Sequence, residues 1–358
     1  MDEEGVTLIV PLDEYLRIDR LPFKITADLM LEVAFWGQNQ RSYQEAENVI
    51  SKVYGVTIND DTVRLVTNEV GLIVYENDCR MAEDVYARLN AGKLIFPSRK
   101  KDGILYIETD GSALNTRHRR DSDDSTWREN KLGMVFSTDN IRYWTDAHGD
   151  RQHSIDKREY VSYIGKASEF QKHLLSCALR NGYGEYKQTV LISDGATWIR
   201  NMKEELFPDA QQILDYYHLC ENVNTYAKRL FGTEKAQYSP WSDKICAALK
   251  AGEYKDVLLE LDKLRSDADT FDLYGYIDNN SNNIDYPTYS KKGYFVGSGS
   301  VESGNRIVLQ QRLKQAGMRW NVSSAQPLLT LKAKCESNLW EKNVVEPFTK
   351  EHVGMLIS

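Results

Sequence analysis

Ile104-Leu105-Tyr106-Ile107-Glu108-Thr109-Asp110-Gly111 and Gln188-Thr189-Val190-Leu191-Ile192-Ser193-Asp194-Gly195 decide how this chain is read. Both are short, apolar and β-prone, and both stop at Asp-Gly, a turn signal. The spacing predicts two strands, each closed by an acid. KLGMVFST (131–138) and YVSYIG (160–165) read as the next strands of a meander that starts from the first, with the charged loop RHRRDSDDSTWREN (117–130) between. Helical periodicity follows over 167–181, then the second quoted strand, a helix over 196–206 and a strand QQILDYY over 211–217. Strands that first meander and then alternate with helices indicate an α/β domain.

Residues 22–76 show helix-like apolar spacing broken by Gly55-Val56-Thr57. Ser42 with Glu45 forms a capping-box pattern, and Asn59 or Asp60 caps a following helix over about 60–73. Two helices around a tight turn read either as a helix-turn-helix, with the second helix in a major groove, or as a plain helical hairpin. Residues 218–280 are rich in helix formers and read as a helical insertion, and 276–294 read as an Asn-, Ser- and Tyr-rich linker. Gly297-Ser298-Gly299-Ser300 then punctuates the start of a helix from Val301 to Ala316, with Glu302 in its first turn. The expected organisation is a small all-α unit over 1–100, an α/β core over 101–217, the insertion over 218–295 and the rest of the core over 296–358.

The 358 residues, 41% hydrophobic and 27% charged, are those of a globular protein with room for more than one domain. No apolar run is long enough for a membrane span, and the acidic start MDEEGVTLIVPLDEY is unlike a basic signal peptide, so a cytoplasmic location is expected. Five scattered cysteines without a CxxC pair indicate neither a disulfide framework nor a zinc ribbon. A net charge of −8 disfavours a polyanion partner overall, so any nucleic-acid contact must come from local patches: SRKK (98–101), RHRR (117–120), and Arg306, Arg312, Lys314 and Arg319. GSGS lacks the Lys that a phosphate-binding P-loop would place after it.

Two strand-end acids plus a third on a helix are a way to gather hard oxygen ligands at one point, and such ligands suit Mg2+ or Mn2+. With 53 acidic residues many triples exist, so local context must select among them. The strings LYIETDGSALNTR, WRENKLGMVFST, VLISDGATWIRN and GSGSVESGNRIVLQQRLKQAGMRWN closely resemble those of DDE transposases of bacterial insertion sequences, of the Kra and Lre types within the Mutator-like superfamily. The resemblance covers about 103–340. It implies a ribonuclease H-like catalytic domain interrupted by a helical insertion, with Asp110, Asp194 and Glu302 as the catalytic, metal-binding acids. It also implies two Mg2+ or Mn2+ ions per site, double-stranded DNA (element ends and target) as partner, a homo-oligomer assembled on DNA, and work at the nucleoid. Asp215-Tyr216-Tyr217-His218 resembles a Cys-or-Asp, two residues, His signature of related transposases, which makes Asp215 and His218 accessory candidates. Arg306, Arg312, Lys314 and Arg319 are the expected DNA contacts. Trp241 and Trp320 read as core residues before they read as platforms for an unstacked base. A non-catalytic DNA-binding regulator and a structure-selective nuclease on the same fold are the alternatives.

Overall fold

The computed structural model describes residues 22–97, 100–117, 126–264 and 272–350. Helices α1 (Ala27–Asn39), α2 (Tyr43–Tyr54) and α3 (Asp60–Asn90) come first. A mixed region follows, of β1 (Lys101–Asn115), β2 (Trp127–Ser137), β3 (Ile141–Thr145), β4 (Arg151–Ile155), β5 (Glu159–Ile164), α4 (Ala167–Arg180), β6 (Tyr186–Ser193), α5 (Thr197–Leu206) and β7 (Gln211–Leu214). Helices α6 (Tyr216–Phe231), α7 (Lys235–Ala251), α8 (Tyr254–Asp262), α9 (Leu273–Asn279) and α10 (Tyr286–Lys291) lead to α11 (Gly299–Gly304), which runs on through a π-helical turn to Leu313, and to α12 (Val322–Glu336). No helix among the described residues is long and apolar enough to cross a membrane.

Five strands form one sheet in the order β5-β2-β1-β6-β7, with β2 antiparallel to both β1 and β5, and β6 parallel to both β1 and β7. This mixed sheet with its many helices is compatible with a ribonuclease H-like fold. The period of two along β1 sorts its side chains. Leu105 and Ile107 join Phe170, Leu174, Ile199 and Met202 under α4 and α5. Tyr106 and Leu114 join Val190, Ile192, Leu132 and Met134 on the other face, under the later helices. A third apolar cluster unites α1, α2 and α3 with Leu331, Val344 and Phe348 near the C-terminus.

The helix starts match their expected caps: Ser42 Oγ accepts from Glu45 N, and Asn59 Oδ1 from Thr62 N. Gly55 turns the chain at φ +67°. The helix expected over 60–73 continues to Asn90, because α3 finds further partners in α4 and α12.

Four expectations need correcting. First, β1 does not stop at Asp110-Gly111; pairing with β2 continues to Asn115↔Trp127. Gly111 is absent from the positive-φ glycines, and a Cβ there would lie 2.4 Å from Glu129 Oε1, so the glycine makes room for a cross-strand side chain. Second, β7 ends at Leu214, and Asp215 caps α6 where 215–217 were read as strand. Third, the supposed linker over 276–294 contains α10 and buries Tyr286, Tyr289 and Tyr294. Fourth, the segment between β2 and β5 holds the hairpin β3–β4, turned at Gly149. Of the two basic runs, Ser98, Arg99 and 118–120 lie outside the described residues. All five cysteines are free.

One buried ion pair ties β5 to α4. Glu159 accepts from Arg180 Nε at 3.1 Å and from Asn181 Nδ2 at 2.8 Å. Burial pushes its carboxyl up, but the charges of Arg180 and Lys334 and these hydrogen bonds overcome that and hold it below the usual range. Its contribution is therefore present above the unfolded glutamate range and is lost as pH falls through the lowered folded value. Glu159→Gln is expected to cost about 3 kcal/mol, the scale for breaking a buried pair, and to flatten the acid limb of a urea-stability profile.

Candidate metal centre

The last parallel pair between β1 and β6 is Glu108↔Ile192. Asp110 and Asp194 each lie two residues beyond it, Asp110 still within β1 and Asp194 just past the end of β6, near enough for the charge of Asp194 to raise the Asp110 carboxyl. Sheet pairing thus puts both acids just past the last parallel pair of β1 and β6. Asp110 is half-buried; its Oδ2 accepts from Asn305 Nδ2 and its Oδ1 from the Gly111 N–H. Burial raises its carboxyl, as does the nearby Asp194 charge, while His218 and Asn305 pull the other way. Asp194 Oδ1 accepts from Ala196 N at 2.9 Å, and the Asp194 carbonyl accepts from Tyr276 Oη at 2.7 Å. The turn at Gly195, φ +81°, ends the strand as expected.

Glu302 is brought to this point by a clasp. Asp215 is fully buried; Oδ1 accepts from the backbone N–H groups of Tyr217 and His218, and Oδ2 from the backbone N–H and hydroxyl of Ser298. One carboxylate thereby caps α6 and anchors the turn before α11. Burial pushes Asp215 up, but these donors and His218 bring it below its ordinary range. Glu108, also fully buried, accepts from Val301 N at 3.0 Å and is pushed up to about 8, first by burial. Asn305, four residues on from Val301, reaches Asp110. The helix is thus tied to β1 at two places that flank Glu302.

His218 stands between two acids, Nδ1 being 3.3 Å from Asp215 Oδ2 and 3.9 Å from Glu302 Oε1. Its close approach to Asp215, and the charges of Asp215, Asp110 and Glu302, raise it to about 9 against the opposing effect of burial. Burial also raises Glu302, moderated by His218. Ligand-capable atoms of Asp215, His218 and Glu302 lie within 4.8 Å of one another. Both Asp215 oxygens already accept from backbone or hydroxyl donors, however, so Asp215 suits positioning better than coordination. Asp110, Asp194 and Glu302 offer carboxylate oxygens of the kind that Mg2+ or Mn2+ takes, and that donor chemistry fits the metals expected.

The expected DNA contacts separate. Arg306 and Arg319 are exposed, and Lys314 Nζ donates to Ser112 Oγ at 2.6 Å, two residues past Asp110 on the same strand face. Arg312 corrects the expectation: it is buried, donates to the Gly37 and Arg41 carbonyls, and lies over the rings of Tyr43 and Trp320. It pins α11's extension to α1 and cannot meet a phosphate there. Trp320 donates to Leu313 O, and Trp241 packs on Tyr226 and Phe231 while donating to Glu260, so both tryptophans serve packing. Sequence reasoning missed Glu108 and Ser298. The signal for Glu108 was its i, i+2 relation to Asp110, which puts both on one strand face.

Gly304 lets α11 approach the sheet; a Cβ there would sit 2.6 Å from Tyr160 Cε1 and 3.2 Å from Leu132 Cδ2. Gly304→Ala is expected to destabilise by about 1–3 kcal/mol, the scale of overpacking, as read by urea denaturation.

No protein-family model matches the chain, and no curated protein does. Among solved structures it is similar to a chain of the Drosophila P element transposase strand transfer complex, at 10% identity and a TM-score of 0.22, over 86% of this chain and 88% of that one. So loose a superposition carries nothing about individual residues.

Proposed function

We propose that the chain is a DNA transposase in which Asp110, Asp194 and Glu302 hold divalent metal ions, two per site, Mg2+ or Mn2+, for strand cleavage and strand transfer. What supports this reading is that Asp110 and Asp194 each lie two residues past the last parallel pair of β1 and β6, while the helix of Glu302 is tied to β1 through Val301 and Asn305 and the turn before it to Asp215. Metal ions at such a site supply an activated hydroxyl and stabilise the leaving oxygen of an in-line phosphoryl displacement. The protein's own residues position. Asn305 holds the Asp110 carboxylate, Ala196 N holds that of Asp194, and Asp215 fixes both the His218 backbone and the turn before Glu302. Arg306, Lys314 and Arg319 supply positive charge for DNA phosphates, which a chain of net charge −8 must concentrate locally. Residues 1–100 are read as the helix-turn-helix-containing DNA-binding unit, 218–295 as the insertion, and double-stranded DNA bound by a homo-oligomer at the nucleoid as the working assembly.

The test uses the purified full chain and a supercoiled plasmid carrying this reading frame with its native genomic flanks. Cutting at the flanks and joining of the freed 3′ ends to new sites, dependent on Mg2+ or Mn2+ and stopped by chelator, is the expected result. Cutting without joining would favour a nuclease, and DNA binding without either reaction would favour the regulator.

A further inference from the structure

A groove of about 590 Å3 opens at the far end of β1, lined by Arg64, Arg117, Arg319, Trp320, Asn321, Ser324 and the 317–318 turn. Among the described residues three guanidinium groups line it and no carboxylate does, in a chain with 53 acids against 45 bases. Such a local sign bias suits a polyanion. Arg64 also pairs with Asp61 at 3.2 Å, but both side chains are exposed, and a surface pair of this kind exchanges readily for a phosphate. The wall is held in place: Arg117 N donates to Trp320 O at 2.9 Å, Trp320 N donates to Asn115 O at 3.1 Å, and Thr116 bridges Trp320. The turn bearing Arg319 is therefore stitched to the strand that carries Asp110. Arg64 comes from a third element, the first two turns of α3.

We propose that Arg64, Arg117 and Arg319 form a phosphate-backbone clamp for duplex DNA, separate from the metal centre and a fixed distance from it. The proposal rests on the DNA reading of the site above. Asp110 and Arg117 are seven residues apart along extended chain, about 24 Å at the usual strand rise. A duplex advances about 3.4 Å per base pair, so the clamp grips the backbone roughly seven base pairs from the cut. Lys314, held at Ser112, stands between the two. The guanidinium fork, matched to phosphate oxygens, favours a backbone contact without base reading.

The experiment measures binding of a fluorescein-labelled 30-base-pair duplex to the full-length protein across a salt series. The probe is read by anisotropy without added metal, so the result does not depend on cleavage. Arg64→Gln/Arg117→Gln/Arg319→Gln is expected to weaken binding at least tenfold at low salt. It should also make the slope of log affinity against log salt shallower by about two to three, near 0.9 for each lost phosphate contact. The corresponding Lys triple variant should recover most of the slope. An unchanged slope in the Gln variant overturns the clamp, as does stronger binding of a single strand than of the duplex by the wild-type protein. Should the Gln variant fold poorly, ethylation interference on the wild-type complex replaces it. Interference about seven base pairs from the cut phosphate supports the clamp, and its absence there overturns it. A protein that cuts DNA yet shows no such contact loses the clamp alone; one that grips the duplex but never cuts loses the transposase reading alone.

Discussion

Asp194→Asn is expected to slow metal-dependent DNA cleavage by about a thousandfold or more while leaving the fold intact. Fold should survive because the asparagine side-chain oxygen can still accept from Ala196 N, and because Tyr276 donates to the Asp194 carbonyl, which the change does not touch. Activity should not, since an amide brings no charge to a divalent cation. Loss of several kcal/mol of charge stabilisation in the transition state corresponds to that factor, at about 1.4 kcal/mol per tenfold. Asp110→Asn should lose as much activity, and in addition sets an amide against the Asn305 donor. Single-turnover cleavage in Mg2+, alongside a urea titration of each variant, checks both halves. Wild-type cleavage by Asp194→Asn would remove Asp194 from the metal centre.

Asp215→Ala has the second largest expected effect, and it falls on stability and activity together. The change strands the backbone N–H groups of Tyr217, His218 and Ser298 and the Ser298 hydroxyl, and it leaves His218 without its closest acid. Unsatisfied buried donors cost about 1–3 kcal/mol each, so a total loss of about 3–5 kcal/mol is expected after local relaxation. Cleavage should also fall, because the turn before Glu302 loses its anchor. Asp215→Asn separates the roles. Asparagine caps helices well, so α6 should recover, yet its amide group opposes the Ser298 donors and cannot balance a charged His218. Stability near wild type with cleavage still impaired is the expected pattern, read by thermal melts and the same cleavage assay. Full activity in Asp215→Ala would show that the clasp does not position Glu302.

How far the sequence told this in advance differs from element to element. The apolar run into Asp194 was legible because Gly195 takes the positive φ that an Asp-Gly turn signals. The same dipeptide at Asp110 misled, since Gly111 serves the cross-strand approach of Glu129 and pairing with β2 carries the strand on. Local pattern cannot distinguish these uses, as the partner strand lies some twenty residues away. What relates Asp110 to Asp194 is their equal offset from Glu108↔Ile192, a register that only the paired sheet reveals. Asp215 was singled out, but as part of a strand, though an acid followed by a helical run is also an N-cap pattern. Tyr286, Tyr289 and Tyr294 gave the clearest overlooked sign, because large amphipathic rings so closely spaced indicate burial more than a linker. Arg312 shows the opposite limit. Its position in a basic segment suggested a phosphate, whereas its guanidinium is committed to the carbonyls of Gly37 in α1 and Arg41 just past it, some 270 residues earlier in the chain.

Mn2+ binding followed by electron paramagnetic resonance tests, without knowledge of the DNA ends, whether Asp110, Asp194 and Glu302 form one metal centre. In the full-length protein with a short duplex present, Mn2+ should be taken up at two sites per chain. Uptake should fall to near zero in Asp110→Asn/Asp194→Asn and should drop clearly in Glu302→Gln. Equal Mn2+ uptake by the wild-type protein and the double variant, with both folded by urea titration, would mean that these acids hold no metal.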